Sequence, residues 1–292
     1  QPTPDRPERF SSSMPALLRA LILLSLALCA RVASADGMRD LEIGVLPNLS
    51  TRVLMTQYAP LRDALARSLN RPARIATAPD WSRFTRRGLE GDYDLIVTAA
   101  HLARLQQVEA GLIPVGRFTP DIPALLVTRG DAPVSRLTDL RGKIVALPNV
   151  HSLVALQSLH RLAEAGLRPG QDLRLISVPT DDSVGNLLLR GDATAAVLSG
   201  GEFRMIPEDI RARLKVVQTV AEVPGFIVLA SPRLDADALE RLRRCLESFP
   251  GSSDGRRFAE LTGFSGLTTV DDALMKSLDI HLPDARQILQ AP

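Results

Sequence analysis

The chain has 292 residues, 45% of them hydrophobic and 23% charged, which supplies the core of one large domain or two modest ones. Its formal charge of +2 resides in the first 35 residues, where Arg6, Arg9, Arg19 and Arg31 outweigh Asp5 and Glu8, leaving 31 basic and 31 acidic residues beyond. That balance argues against nucleic acid as a partner, and Cys29 and Cys245, one of them inside the leader, leave no disulfide to expect.

In chain order, the first feature is an apolar run from Leu17 to Ala30, broken by Arg19 and Ser25, with Arg6 and Arg9 before it and Ala33-Ser34-Ala35 after it. A basic flank, a short apolar stretch and small residues at alternate positions make an export signal, with the start expected at Met14 and cleavage after Ala35. The stretch from Leu21 to Ala30, interrupted only by Ser25, falls short of the roughly 20 residues a bilayer span needs. Leu26-Ala27-Leu28-Cys29 approaches a lipoprotein box, but Leu28 stands where a small residue is required, so a cleaved, unanchored product is expected.

Beyond the leader, the pattern predicts strands at Leu41–Leu46, Ala73–Ala78 and Tyr93–Thr98, separated by helices over 53–69, 81–89 and 100–110. After an extended segment at 113–116 comes a strand over 123–128. The rhythm then restarts with strands at 143–147, 173–178 and 193–198 and helices over 153–165 and 183–190. Strands alternating with helices imply mainly parallel sheets with right-handed crossovers. Pro224 to Leu229 matches the 123–128 strand in length and leading proline, so the two extended segments bracket one compact unit as a two-stranded hinge. The fold class is therefore α/β in two lobes. The expected divisions are a leader over 1–35, lobe 1 over 36–126, lobe 2 over 127–223, and a return strand with C-terminal helices over 224–292 that pack on lobe 1.

Open α/β sheets bind ligands at the C-terminal ends of their strands. The most informative such end is Leu147-Pro148-Asn149-Val150-His151-Ser152, which closes one strand and opens a long helix whose free N–H groups attract an anion. Ser152 also suits an N-cap. Thr98, Ala99, Ala100 and His101 occupy the matching place in the first lobe, Asn48, Ser50 and Thr51 follow the first strand, and Ser183 opens a later helix. Asp182 is read as a cap, and Trp81 and Phe84 as core.

A series of segments in order resembles the phosphate, phosphite and phosphonate-type periplasmic binding proteins of ABC importers. They are Ile43-Gly44-Val45-Leu46-Pro47, Tyr58-Ala59-Pro60-Leu61, Thr77-Ala78-Pro79-Asp80, Gly91-Asp92-Tyr93-Asp94-Leu95, Leu140-Arg141-Gly142-Lys143-Ile144-Val145-Ala146, Ala163-Glu164-Ala165-Gly166 and Leu189-Arg190-Gly191-Asp192-Ala193. The resemblance implies a type II periplasmic binding protein fold, a periplasmic location, a small anionic or polar ligand clamped between lobes, delivery to an ABC permease, and a monomer. By position it implies ligand contact at Thr98, Ala99, Ala100 and His101 and at Asn149, His151 and Ser152. The chain departs from the family in Ala99-Ala100-His101 and in the hydroxyl-poor second turn.

Other functions find less support. No His-Glu-x-x-His, Gly-x-Ser-x-Gly or paired-cysteine motif occurs, so neither an enzyme, a metal site nor a cofactor is expected. His101 and His151 meeting across the cleft would lack a third metal ligand, though imidazoles there would make capture depend on pH. Leu198-Ser199-Gly200-Gly201-Glu202 mimics an ABC ATPase signature without a phosphate-binding loop, and its glycines are read as a turn after a strand. The alternative from another class is a sensory module for a membrane histidine kinase or receptor.

Overall fold

The computed structural model describes residues 39–177 and 181–290, apart from the side chains of 181–183. The expected export signal, its cleavage point and the side chains of Asp182 and Ser183 lie outside what is described. Among the described residues no helix is long and apolar enough to cross a membrane.

The chain begins with strand β1 (Leu41–Val45), helix α1 (Thr51–Leu69), β2 (Ala73–Ala76), α2 (Trp81–Leu89), β3 (Leu95–Thr98), α3 (Ala100–Ala110) and β4 (Ile113–Thr119). The second unit runs through β5 (Ile122–Arg129), β6 (Ile144–Leu147), α4 (Leu153–Glu164), β7 (Arg174–Ser177), α5 (Asp181–Arg190), β8 (Ala195–Ser199), α6 (Gly200–Met205), α7 (Glu208–Arg211) and β9 (Leu214–Val223). The return consists of β10 (Ile227–Ala230), α8 (Ala236–Ser248), α9 (Ser253–Thr262), β11 (Gly266–Thr268), α10 (Asp272–Ser277) and α11 (Leu282–Ile288).

Two sheets result, ordered β11-β4-β10-β3-β1-β2 and β7-β6-β8-β5-β9. Each is parallel on one side, where β1 pairs with β2 and β3, and β6 with β7 and β8. Each is antiparallel on the other, where β10 pairs with β3 and β4, and β5 with β8 and β9. The sheets are thus mixed rather than mainly parallel. These antiparallel pairs involve β5 and β10, the strands that enter each sheet from the other through the short passages 120–121 and 224–226 and run against their neighbours.

These short passages are the hinge. The chain leaves the first sheet at 120–121 rather than at 126–127, because Pro120 has no N–H to extend the ladder and Ile122 already pairs with Val223 of the second sheet. It returns through Pro224, Gly225 and Phe226. Gly225 lies so close to the other passage that a Cβ atom there would stand 2.0 Å from the Phe118 carbonyl oxygen. Beside it the Phe118 N–H donates to the Phe226 carbonyl at 2.9 Å, so the two passages run as a bonded pair.

Helices cover both faces of each sheet, as fully buried central strands demand: β3 and β10 are buried along their whole length. The α1, α8 and α9 side of the first sheet closes over Leu54, Leu61, Leu246 and an aromatic group in which Phe258 meets Tyr58, Phe118 and Phe249 at ring separations of 5.0–5.5 Å. Phe84 belongs to the core, stacked on Tyr93 at 5.3 Å. The C-terminal helices pack on the first sheet's elements, α9 and α8 against α1 and α11 against α3.

Candidate functional site

The C-terminal ends of β1 and β3 in the first sheet, and of β6 and β8 in the second, face a common cleft. Its floor is the start of α3. Ala99 is the N-cap residue and carries no side-chain acceptor, so the first-turn N–H groups of α3 have no side-chain cap. The opposing helix starts differ: the Ser152 hydroxyl accepts the Ala155 N–H at 3.1 Å, and the Ser199 hydroxyl accepts the Glu202 N–H at 3.1 Å while the Glu202 carboxylate accepts the Ser199 N–H at 2.6 Å. The latter pair is a complete capping box. Of the three, α3 alone turns an uncapped positive end to the cleft.

A cavity of about 50 Å³ sits at this point, lined on the first sheet's side by Asn48, Trp81, Ala99 and Ala100 and on the second's by Ser152, Leu153, Val154, Ser199 and Glu202. The hinge contributes Ile122, Val223, Pro224 and Phe226. Among the described residues no lysine or arginine lines it. A neighbouring cavity of about 290 Å³ shares Asn48, Ile122, Ser199, Glu202 and Phe226 and extends past Tyr58 and Phe264.

The structure therefore brings Asn48, Ala99, Ala100 and Ser152 to the cavity wall. Thr98 and His101 lie just beneath it, fully buried, with Thr98 Oγ1 and His101 Nδ1 lacking hydrogen-bond partners among the described residues. Asn149 and His151 form the turn behind Ser152, where the His151 N–H donates to Asn149 Oδ1 at 2.9 Å, and neither lines the two cavities. Ser50 and Thr51 are exposed and likewise stand off them. The Ser152 hydroxyl both caps α4 and donates to the Asn149 carbonyl at 2.9 Å, so its hydrogen-bonding capacity is largely committed within the turn. Ser152→Ala should lower stability by about 1 kcal/mol, read as a lower urea midpoint.

His101 and His151 do meet across the cleft, through a backbone carbonyl rather than as two rings. His101 Nε2 lies 3.1 Å from the His151 carbonyl oxygen, which only accepts, so Nε2 carries the proton and Nδ1 is bare. Burial pushes this imidazole down to about 3, against the opposing pull of the bond to His151. It stays neutral near pH 7 and does not serve as a switch there. Because the folded value is lowered from 6.5, the stability it reflects is fully present above pH 6.5 and is lost as pH falls toward 3. Between pH 7 and pH 5 that loss is on the order of 1–2 kcal/mol, and His101→Gln should flatten the corresponding drop in urea midpoint.

Two further bonds join the lobes. Arg204 Nη2 of α6 donates to the Thr262 carbonyl at the C-terminus of α9 at 2.7 Å, a cation on the negative end of a helix. Gln157 Nε2 of α4 lies 2.9 Å from His281 Nε2, which accepts in the neutral form; burial lowers the His281 value and favours that form.

Several lining residues escaped the sequence reading. Gly200 and Gly201 open α6 rather than forming a turn, since the spacing Ser199-x-x-Glu202 is a capping box and nucleates a helix. That spacing was the available signal for Ser199 and Glu202. Trp81, read as core, is half-buried on the cavity wall and donates from Nε1 to the Pro47 carbonyl at 3.1 Å. Ile122, Val223 and Phe226 carry no local signal, because only the hinge crossing places them together.

Comparison with known proteins agrees with this geometry. Residues 43–275 match the family of phosphonate periplasmic substrate-binding proteins of ABC transporters. Among solved structures, PhnD1 from Prochlorococcus marinus in complex with methylphosphonate superposes with a TM-score of 0.72 at 12% identity, covering 87% of this chain and 99% of that one. A binding protein component of an ABC phosphonate transporter from Pseudomonas aeruginosa gives 0.69 at 12% identity, over 86% and 97%. The aliphatic sulphonate binding protein SsuA from Escherichia coli gives 0.62 at 16% identity, over 85% and 96%. No curated protein matches the chain by sequence. The likeness to these structures shows the fold, a type II periplasmic binding fold of two α/β lobes. With the family match spanning most of its length, the chain belongs to the phosphonate-type periplasmic substrate-binding proteins of ABC transporters.

Proposed function

We propose that the protein captures a small oxyanion of the phosphonate type in the periplasm, seats it on the start of α3, and presents it to a membrane permease. The observation that carries this reading is the uncapped N-terminus of an 11-residue helix at the floor of an interlobe cavity, with Thr98 Oγ1 and His101 Nδ1, both without partners among the described residues, buried beside it. A cavity of about 50 Å³ has room for roughly four water-sized groups, the size of a phosphorus or sulfur atom with three oxygens.

Held between both lobes, the ligand makes its full set of contacts only when they are closed, so binding shifts the population toward closure. The bonds from His101 to His151, Arg204 to Thr262 and Gln157 to His281 then belong to the closed form. The protein-only bonds between lobes need not be strong for this to work. Their part is to fix how the lobes meet, and Arg204→Ala should weaken ligand binding by about threefold through easier opening, measured calorimetrically.

The test is a thermal-shift series on the exported chain with methylphosphonate, phosphate, phosphite, sulfate and alkanesulfonates. A ligand at 100 times its Kd adds about 2.7 kcal/mol of stability and raises the melting temperature by several degrees. No shift with any oxyanion would remove the proposal.

A further inference from the structure

All four histidines of the chain gather where the lobes meet. His101 faces the His151 carbonyl, His281 faces Gln157, and His160 lies one turn beyond Gln157 on α4, close enough to oppose a charge on His281. His101 is fully buried and stays neutral near pH 7, and His160 is exposed beside Glu164 at 3.2 Å. His281 differs from both, being half-buried in the seam itself. Its Nε2 receives the Gln157 Nε2 donor at 2.9 Å, a bond that needs a lone pair on the ring. An imidazolium has none to give. His281 is also the N-cap residue of α11, where the positive end of the helix opposes a second positive charge. The other groups that face it pull in both directions. Asp284 in the first turn of α11 favours the charged ring, His160 of α4 opposes it, His101 of α3 is neutral, and Asp279 of the preceding turn is paired with Arg104 of α3 at 2.6 Å. Removal from water outweighs Asp284, so the His281 ring gives up its proton more readily here than in solvent.

We infer that His281 is a proton-operated latch on lobe closure: the closed form holds its neutral ring against Gln157, the open form frees it to take a proton from water, and capture of a guest expels that proton. Linkage makes the effect reciprocal, so acid favours opening and weakens capture. The sign follows from the two environments. In the closed form the ring lies below its ordinary value of 6.5, and in the open form it returns toward that value, so the latch is fully set above pH 6.5 and is lost as the pH falls through the closed-form value. The device acts on any guest held between the lobes and goes beyond the oxyanion reading rather than resting on it.

The experiment titrates methylphosphonate calorimetrically near pH 6 in two buffers of different ionisation enthalpy, which counts the protons released on binding. His281→Gln is the comparison, because the ligand's own ionisation contributes equally to both proteins and cancels. The natural chain should release more protons than His281→Gln, and its affinity should fall about threefold more between pH 7.5 and pH 5.5. Gln157→Glu sets a carboxylate of the same length against the ring and should reverse the difference, with proton uptake on binding and tighter capture in acid, a result that mere loss of a structural contact does not give. Equal proton counts in the natural chain and His281→Gln, or a Gln157→Glu variant that still releases protons as the natural chain does, overturns the inference while leaving oxyanion capture intact. If methylphosphonate and the simple oxyanions all fail to bind, the oxyanion reading falls, and the latch is decided in the ligand-free chain by proton NMR titration of the histidines. There His281 should titrate at higher pH in Gln157→Glu than in the natural chain, and an unmoved midpoint overturns the latch as well.

Discussion

The variant Ala99→Asp should melt higher than the natural chain and bind oxyanions about 100-fold more weakly. Position 99 is the N-cap of α3, with the extended backbone that a capping residue adopts and an alanine that cannot cap. An aspartate there accepts from the N–H groups of the first turn, and replacing a non-capping residue by a capping one stabilises a helix by roughly 0.5–2 kcal/mol. Those are the same donors proposed to hold the ligand. The new carboxylate takes them, and its charge opposes the guest directly. Losing one or two charge-assisted hydrogen bonds of about 1.5–3 kcal/mol each accounts for the expected factor. The opposite signs of the two changes make the result diagnostic, because a merely disruptive substitution would lower both quantities. A variant that melts higher with undiminished affinity would show that the anion sits elsewhere.

The second large effect belongs to the hinge. Gly225→Ala places a methyl group 2.0 Å from the Phe118 carbonyl oxygen and 2.9 Å from its carbon, atoms of the backbone that cannot rotate aside. The two passages must separate, which strains the bond from the Phe118 N–H to the Phe226 carbonyl and shifts Phe226 on the wall of both cavities. Overpacking of this kind costs about 3 kcal/mol, expected as a clear drop in urea midpoint at unchanged m-value. Affinity should fall as well, since the closed geometry is set where the passages touch. An alanine variant of full stability would mean that the passages are free to move apart.

Much of the fold was legible because its periodicities are strong. Alternation of apolar strands with amphipathic helices located β1 to β3 and α1 to α3 within a few residues, and the same rhythm marked β6 to β8. The mixed sheet order was not legible, since pairing direction depends on which strands the short passages at 120–121 and 224–226 bring together, and nothing local states that. The last strand, β11 (Gly266–Thr268), is three residues long and too brief for any periodicity to register.

The site divides along the same line. Strand ends followed by helix starts can be seen in a sequence, so the places of Ala99, Ala100, Ser152 and Asn48 at such ends were legible. Their roles were not, because whether a helix start is capped by its own side chain or open to a guest depends on geometry, as the contrast between Ser152 and Ala99 demonstrates. Glu202 and Trp81 acquire meaning only once both lobes stand around the cavity. By itself the sequence determined the α/β class, the repeat of the strand-helix rhythm and the family, because these follow from local propensity and ordered short motifs. Tertiary structure alone decided the neutral state of His101, the desolvation of the Glu202 carboxyl and the close approach at Gly225. Each arises from desolvation or contact between residues far apart in the chain, and burial of that kind exists only after folding.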